Sequence, residues 1–272
     1  MQLGGTNFGY LNTHSLNDSL EHLASCGIEV VELGLAAPHF DLATASDRDV
    51  SALRGSLDRL YLRCHSVNAA ELNLISQNTG VAGVAMQQYS RLIRIAPALG
   101  ANTVVVVPGR QHPLRPIPMQ LAVDGFLARL RLLLNEAERN DVVLALETVP
   151  FGFLQTAREI ADLIATIRHP LLSMALDCAN MFMVEDPAAG VHAAPERIAV
   201  CHVSDAWKTR WAHTSIGLGE VDFGAFKRAL DAVDYPGVTI YELMDAQDPV
   251  PRLAGDIARL ESLGWKRRPI DS

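Results

Sequence analysis

The feature that most constrains the fold is an alternation of short apolar segments with longer amphipathic ones, sustained from end to end. Eight segments read as strands: Gln2–Phe8, Glu29–Leu33, Tyr61–Ser66, Thr103–Val107, Val142–Glu147, Leu172–Asp177, Ile198–Ser204 and Val238–Glu242. Between them the apolar residues recur at helical spacing over Leu16–Ser25, Asp47–Leu60, Val81–Leu99, Met119–Asn140, Thr156–Ile167, Phe223–Val233 and Pro251–Leu263. In the third of these, Val84, Tyr89, Leu92 and Ile95 fall on one face and Gly100 stops the helix. Strands separated by helices must run parallel, and eight such units close on themselves. The predicted fold is α/β, a single (β/α)8 barrel spanning residues 1–272.

The rival architecture, an open doubly wound sheet, would call for a phosphate-binding glycine turn after an early strand. None is present: Gly217-Leu218-Gly219 lacks a third glycine and does not directly follow a strand. There is no Walker loop and no Gly-x-Ser-x-Gly nucleophile elbow. No linker divides the chain, and the proline-rich stretch Pro108–Pro118 reads as a long loop leaving the fourth strand. The 23 basic and 31 acidic residues leave a net charge of −8, which repels nucleic acid at long range. The one dense basic cluster, Lys266-Arg267-Arg268, reads as a solvated tail. No leader or membrane span is visible, and Cys26, Cys64, Cys178 and Cys201 are too scattered for a disulfide framework. A cytoplasmic protein with reduced thiols is expected.

The chemistry lies at the ends of the last four strands. Val-Val-Leu-Ala-Leu-Glu147 and Ser-Met-Ala-Leu-Asp177 end in carboxylates, Ala-Val-Cys-His202-Val carries an imidazole, and Thr-Ile-Tyr-Glu242 ends in a third carboxylate. A carboxylate closing an apolar strand is costly unless it has a partner. Four polar caps on independent strand exits would be the plain alternative. In a barrel, however, these ends converge at the C-terminal mouth, where active sites lie. Three carboxylates and an imidazole suit one divalent cation, Mn²⁺ first, with Mg²⁺, Co²⁺ and Zn²⁺ also compatible. Cys64, Cys178 and Cys201 adjoin His65, Asp177 and His202, so alternation along a strand turns these thiols outward, away from any shared metal.

On these residues the chain resembles the xylose isomerase-like TIM barrel superfamily, which holds sugar isomerases, epimerases, related dehydratases and apurinic endonucleases. The specific pieces are Leu-Glu147-Thr, Leu-Asp177-Cys-Ala-Asn180, His202-Val-Ser-Asp205, the run from His213 through Gly217, Gly219 and Asp222, and Tyr-Glu242. The resemblance implies that Glu147, Asp177, His202 and Glu242 are the metal ligands, and it implies a homo-oligomer. It departs at Asn180, where the family often has a substrate-contacting histidine. The three-metal endonuclease cluster is broken at Val107, Asn180 and Trp211, which argues against a DNA-repair role and leaves apurinic endonuclease as the lesser alternative.

The expected activity is isomerisation or epimerisation of a sugar, keto-sugar or keto-inositol through a metal-stabilised enediolate. Glu147 and Glu242 would carry the proton from opposite faces. A dehydratase of keto-inositol or 3-dehydroshikimate type uses the same first step, and a noncatalytic sugar-binding barrel is a third reading. Further substrate contacts are assigned to His65, Asn180, Asp205, Lys208, Arg210 and His213. For His65 a hydrogen bond within the barrel top is the alternative, and for Asp205 a loop cap. Lys208, Arg210 and His213, interleaved with Trp207 and Trp211, suit either a sugar site or a packed surface loop. Phe8, Tyr10, Phe151 and Phe153 at strand exits either line the pocket or pack, and Asp222 caps the helix beginning at Phe223.

Overall fold

The computed structural model describes residues 1–112 and 114–267. Its strands and helices in chain order are β1 (Gln2–Thr6), α1 (Leu16–Ser25), β2 (Val30–Gly34), α2 (Asp47–Arg59), β3 (Arg63–Asn68), α3 (Thr79–Leu99), β4 (Thr103–Val106) and α4 (Met119–Asn140). There follow β5 (Val143–Glu147), α5 (Ala157–Ile167), β6 (Leu172–Asp177), α6 (Cys178–Phe182), α7 (Pro187–Gly190) and β7 (Ile198–Val203). The chain ends with β8 (Asp205–Trp207), β9 (Arg210–Thr214), α8 (Phe223–Ala232), β10 (Val238–Tyr241) and α9 (Val250–Ser262). The barrel is closed in the order β1-β10-β7-β6-β5-β4-β3-β2, and every neighbouring pair is parallel. The closing pair sets Gln2 beside Val238 and Gly5 beside Tyr241.

The helices start where side chains satisfy their free N–H groups. Ser46 with Asp49 and Thr156 with Glu159 form capping boxes for α2 and α5, Asn78 caps α3, and Asp222 caps α8. Gly100, at φ +82°, ends α3 in the left-handed conformation that a glycine adopts without steric cost. The inner faces of the helices pack on the outer faces of the strands: Phe126, Leu130, Leu133 and Leu134 of α4 lie in one apolar core with Leu144 and Leu146 of β5. Burying side chains of this size contributes about 1.5–3 kcal/mol each.

A second, separate cluster fills the barrel itself: Val30, Val105, Ala145, Ala175, Val200, Val238 and Ile240. Side chains two residues apart on a strand share a face. The next inward position on five strands is therefore Glu32, Glu147, Asp177, His202 and, just past the end of β10, Glu242. An apolar plug thus supports a polar layer above it, and that arrangement follows from the strand period alone. Cys64 and Cys201 sit in the outer core, as alternation requires, and Cys178 joins them as the first residue of α6. All four cysteines are free.

Three expectations are corrected. The third strand runs Arg63–Asn68 instead of Tyr61–Ser66, because Tyr61 takes a left-handed turn (φ 54°) with its ring 91% exposed. The first strand ends at Thr6, and Phe8–Tyr10 is a 3-10 turn. The loop after β7 folds into an antiparallel hairpin, β8–β9, which has no counterpart in the alternation pattern. In the basic tail, the Lys266 carbonyl accepts from the Leu3 N–H and the Arg267 guanidinium is bound to Glu261; Arg268 lies outside the described residues. No helix among the described residues is long and apolar enough to cross a membrane.

Candidate metal centre and cavity

Glu147, Asp177, His202 and Glu242 meet at the C-terminal mouth, all buried. One potential ligand atom from each lies within 4.8 Å of the others. Ligand atoms on opposite sides of a cation at its usual bond lengths are about 4.2 Å apart, so a small ion fits among them with slight contraction. His202 Nδ1 is 3.2 Å from Glu147 Oε1, 3.5 Å from Glu242 Oε2 and 3.7 Å from Asp177 Oδ2.

Asp177 supplies the observation that tests the fit. Its Oδ1 accepts the Asn180 N–H at 2.7 Å and caps α6. Its Oδ2, equally buried, has no hydrogen-bond partner among the described residues. A buried carboxylate oxygen without a partner is costly and needs a reason. A cation shared with three neighbouring ligands supplies one, and the donor set suits a hard or borderline divalent ion.

The other ring nitrogen of His202 reveals a residue that pattern reading missed. Nε2 lies 3.2 Å from Glu32 Oε2, and Glu32 is fully buried on β2. Glu32 is itself held by Ser66 Oγ at 2.6 Å and Asn68 Nδ2 at 3.2 Å. An outer carboxylate that takes one imidazole N–H leaves the other nitrogen's lone pair facing the metal. The signal was present as a lone glutamate within the apolar run Val30-Val31-Glu32-Leu33, but it sits inside a strand and not at its end.

The electrostatics show a cluster in need of positive charge. Burial pushes the Glu147 carboxyl up and raises Asp177 to about 7. Burial opposes the charged form of His202, but Glu32, Glu242 and Glu147 outweigh it and hold the imidazole well above its ordinary value. His213 is raised to about 9 in the same way, chiefly by Asp177 and Glu242 against burial. The two imidazoles in turn overcome the burial of Glu242 and bring it down to about 2. Without a cation, protons carried by the histidines perform the neutralisation that a divalent ion would provide.

Above the cluster opens a cavity of about 680 Å³. Glu147, Glu242, Asn180 and His213 line it, together with Phe8 and Trp211. His213 Nδ1 lies 3.0 Å from Ser204 Oγ and 3.3 Å from Glu242 Oε2, and its Nε2 is 3.2 Å from Asn180 Oδ1. Trp211 Nε1 donates to the same Asn180 oxygen at 2.6 Å. Four other expected contacts do not line this cavity. His65 lies three residues before the end of β3 and reaches across the barrel to the Ala199 carbonyl at 3.3 Å. Asp205 spends both oxygens on the loop, accepting from the N–H groups of Ala206, Gly217, Gly219 and Val221 at 2.8–3.1 Å. It is a loop anchor, and Gly219 packs so closely against it that a β-carbon has no room. Lys208 is exposed and donates to the Phe182 carbonyl, while exposed Arg210 stacks on Trp207 at 3.5 Å. Of the aromatic residues, Tyr10 bonds His22 and Phe153 packs edge-on against Phe126.

The family model described as xylose isomerase-like TIM barrel matches residues 20–263. The chain belongs to that family. An uncharacterized protein of Methanocaldococcus jannaschii is 25% identical over 240 residues, covering 86% of this chain and 89% of its own. Among solved structures, a D-tagatose 3-epimerase-like protein superposes with a TM-score of 0.81 at 22% identity, covering 96% of this chain and 99% of that one. The 3-keto-D-glucoside 4-epimerase of E. coli gives 0.81 at 18%, with 96% and 99% covered. An L-ribulose 3-epimerase gives 0.82 at 18%, with 97% and 96% covered. At these identities the likeness establishes the shared barrel.

Proposed function

We propose that this chain is a divalent-metal-dependent epimerase or isomerase of a keto-sugar. The observation that carries the reading is a buried Asp177 oxygen that has no hydrogen bond among the described residues, paired with two glutamates that face one cavity from strands three places apart around the barrel. Glu147, Asp177, His202 and Glu242 would hold a divalent cation, which would supply Lewis acidity beside the substrate carbonyl. Glu147 and Glu242 reach the substrate from two sides, so one can take the proton from the carbon beside the carbonyl while the other returns one to the opposite face. Asp177 has one oxygen committed to α6 and serves binding alone; His202 is likewise a ligand, oriented by Glu32. Asn180 and His213, fixed to each other and to Trp211, present polar tips to the substrate hydroxyls, and Phe8 and Trp211 form apolar wall. The structural neighbours named as a D-tagatose 3-epimerase-like protein, an L-ribulose 3-epimerase and a 3-keto-D-glucoside 4-epimerase support the same class.

The test is to load the protein separately with Mn²⁺, Mg²⁺, Co²⁺ and Zn²⁺ and incubate it in D₂O with a panel of ketoses followed by NMR. Deuterium entering beside the carbonyl, together with an inverted or isomerised product, is the expected result. Exchange followed by loss of water would assign the chain to β-elimination instead. Absence of exchange with every metal and every keto-sugar would refute the reading.

A further inference from the structure

The cavity floor carries Glu147, Glu242 and His213, and its rim carries Glu71 and Arg110, the one lysine or arginine lining it among the described residues. Arg110 is held in place at both ends. Its backbone N–H donates to Asn73 Oδ1 at 3.3 Å and its carbonyl accepts from Asn73 Nδ2 at 3.1 Å. Its guanidinium lies over the Trp211 ring, 4.4 Å from the centroid, and Trp211 is pinned by its bond to Asn180. Yet the guanidinium N–H groups make no hydrogen bond or ion pair among the described residues, although Glu71 shares the rim. Arg252 and Arg267 show the contrast, each forked onto a carboxylate. A guanidinium stacked by its face keeps its edge of donors available in the plane, the geometry that grips a carboxylate or phosphate with two bonds.

We propose that Arg110 is a specificity-determining residue that selects a substrate bearing an anionic group, carboxylate or phosphate, at the end remote from its carbonyl. The inference rests on the keto-sugar reading above and names the substrate class for that site. With its anion gripped by Arg110 at the rim, the substrate's carbonyl end is directed down towards Glu147 and Glu242.

The probes are fructose, fructose 6-phosphate and fructuronate, which differ at the end away from the carbonyl. Binding of each to the metal-loaded wild type, Arg110→Gln and Arg110→Lys is measured by calorimetry, with deuterium exchange followed in parallel. The wild type is expected to hold one or both anions roughly ten- to a hundred-fold more tightly than fructose, as a charge-assisted pair of hydrogen bonds provides. Arg110→Gln should bring that ratio close to one, and Arg110→Lys, which keeps charge but loses the planar fork and the stack, should retain part of it. The preferred anion distinguishes phosphate from carboxylate. A wild-type ratio near one, a ratio untouched by Arg110→Gln, or no measurable binding of either anion would overturn the assignment. Selective binding with no proton exchange in these probes or in the wider ketose panel would sustain Arg110 and refute the epimerase reading; exchange without selectivity would do the reverse.

Discussion

Replacing Glu32 by glutamine tests whether the metal centre depends on a residue that never touches the metal. In the wild type, Glu32 Oε2 lies 3.2 Å from His202 Nε2; with that carboxylate taking the Nε2 proton, a metal held among Glu147, Asp177 and Glu242 would meet the Nδ1 lone pair. A glutamine keeps the shape; with its oxygen in the Oε1 place it still accepts from Asn68 Nδ2, and its amide, in the Oε2 place, faces Ser66 Oγ and His202 Nε2. Its amide then donates towards His202 Nε2, moving the ring proton to Nδ1, where it blocks metal binding. Loss of such outer carboxylates typically weakens metal affinity about 10–100-fold. Metal present at 100 times its dissociation constant stabilises a fold by about 2.7 kcal/mol. A 30-fold weaker site at the same concentration gives only about 0.9 kcal/mol. The increment in Tm between metal-loaded and metal-free protein should therefore shrink by about 4–7 °C for a domain of this size. The assay is thermal unfolding with and without metal, paired with chelator competition for affinity. The metal-free variant loses the buried Glu32–His202 pair and supplies its own baseline, against which its metal increment is read. An unchanged metal increment and unchanged affinity would show that Glu32 does not set the His202 tautomer.

Glu147→Gln and Glu242→Gln should retain metal at saturating concentration while turnover falls by about 10²–10⁴-fold, whereas Asp177→Ala and His202→Ala should lose activity by losing metal, as metal analysis beside kinetics will read. Elemental analysis should find one divalent ion per chain, and an abasic DNA duplex should remain uncut in a nicking assay, because Val107, Asn180 and Trp211 supply no ligands for a three-metal cluster. Asp205→Ala strands four loop N–H groups that are now satisfied, so denaturant unfolding should show a loss of roughly 3 kcal/mol or more. Burial alone would raise the Asp245 carboxyl, but the fork from Arg252 at 2.6 and 2.7 Å outweighs it and holds it below its ordinary value. Its stabilisation is therefore complete above the unfolded carboxylate value near 4 and is lost as pH falls through the lower folded value. Asp245→Asn should correspondingly flatten the acid-unfolding profile below about pH 4.

Legibility from sequence followed the periodicity of each element. The barrel was readable because strand and helix periods differ and alternate eight times, and the four candidate ligands because each lies within one residue of the end of an apolar strand. The same period-two logic, carried back one step, places Val30, Ala145, Ala175, Val200 and Ile240 beneath Glu32, Glu147, Asp177, His202 and Glu242. Glu32 was therefore accessible in principle, but Gly34 continues the strand beyond it, so its carboxylate resembled an interior anomaly more than an end group. His65 misled for the converse reason. A two-residue error in the end of β3 moved it from the middle of the strand to the mouth, and Asn68 took the place it had been given. The residues after β7 were unreadable in another way, since Asp205, Lys208, Arg210 and His213 are all polar and their spacing fits many loops. Only the antiparallel pairing of Asp205 with Thr214 and Trp207 with Arg210 decides which face each presents. That hairpin sends His213 inward, turns Asp205 to its own backbone and leaves Lys208 and Arg210 outside. The proposed metal site is built from strand positions that the sequence pattern constrains, and the proposed substrate contacts from loop geometry that the pattern does not. The test of substrate class therefore belongs to a loop residue, Arg110, whose stack on Trp211 exists only once two distant loops have folded together.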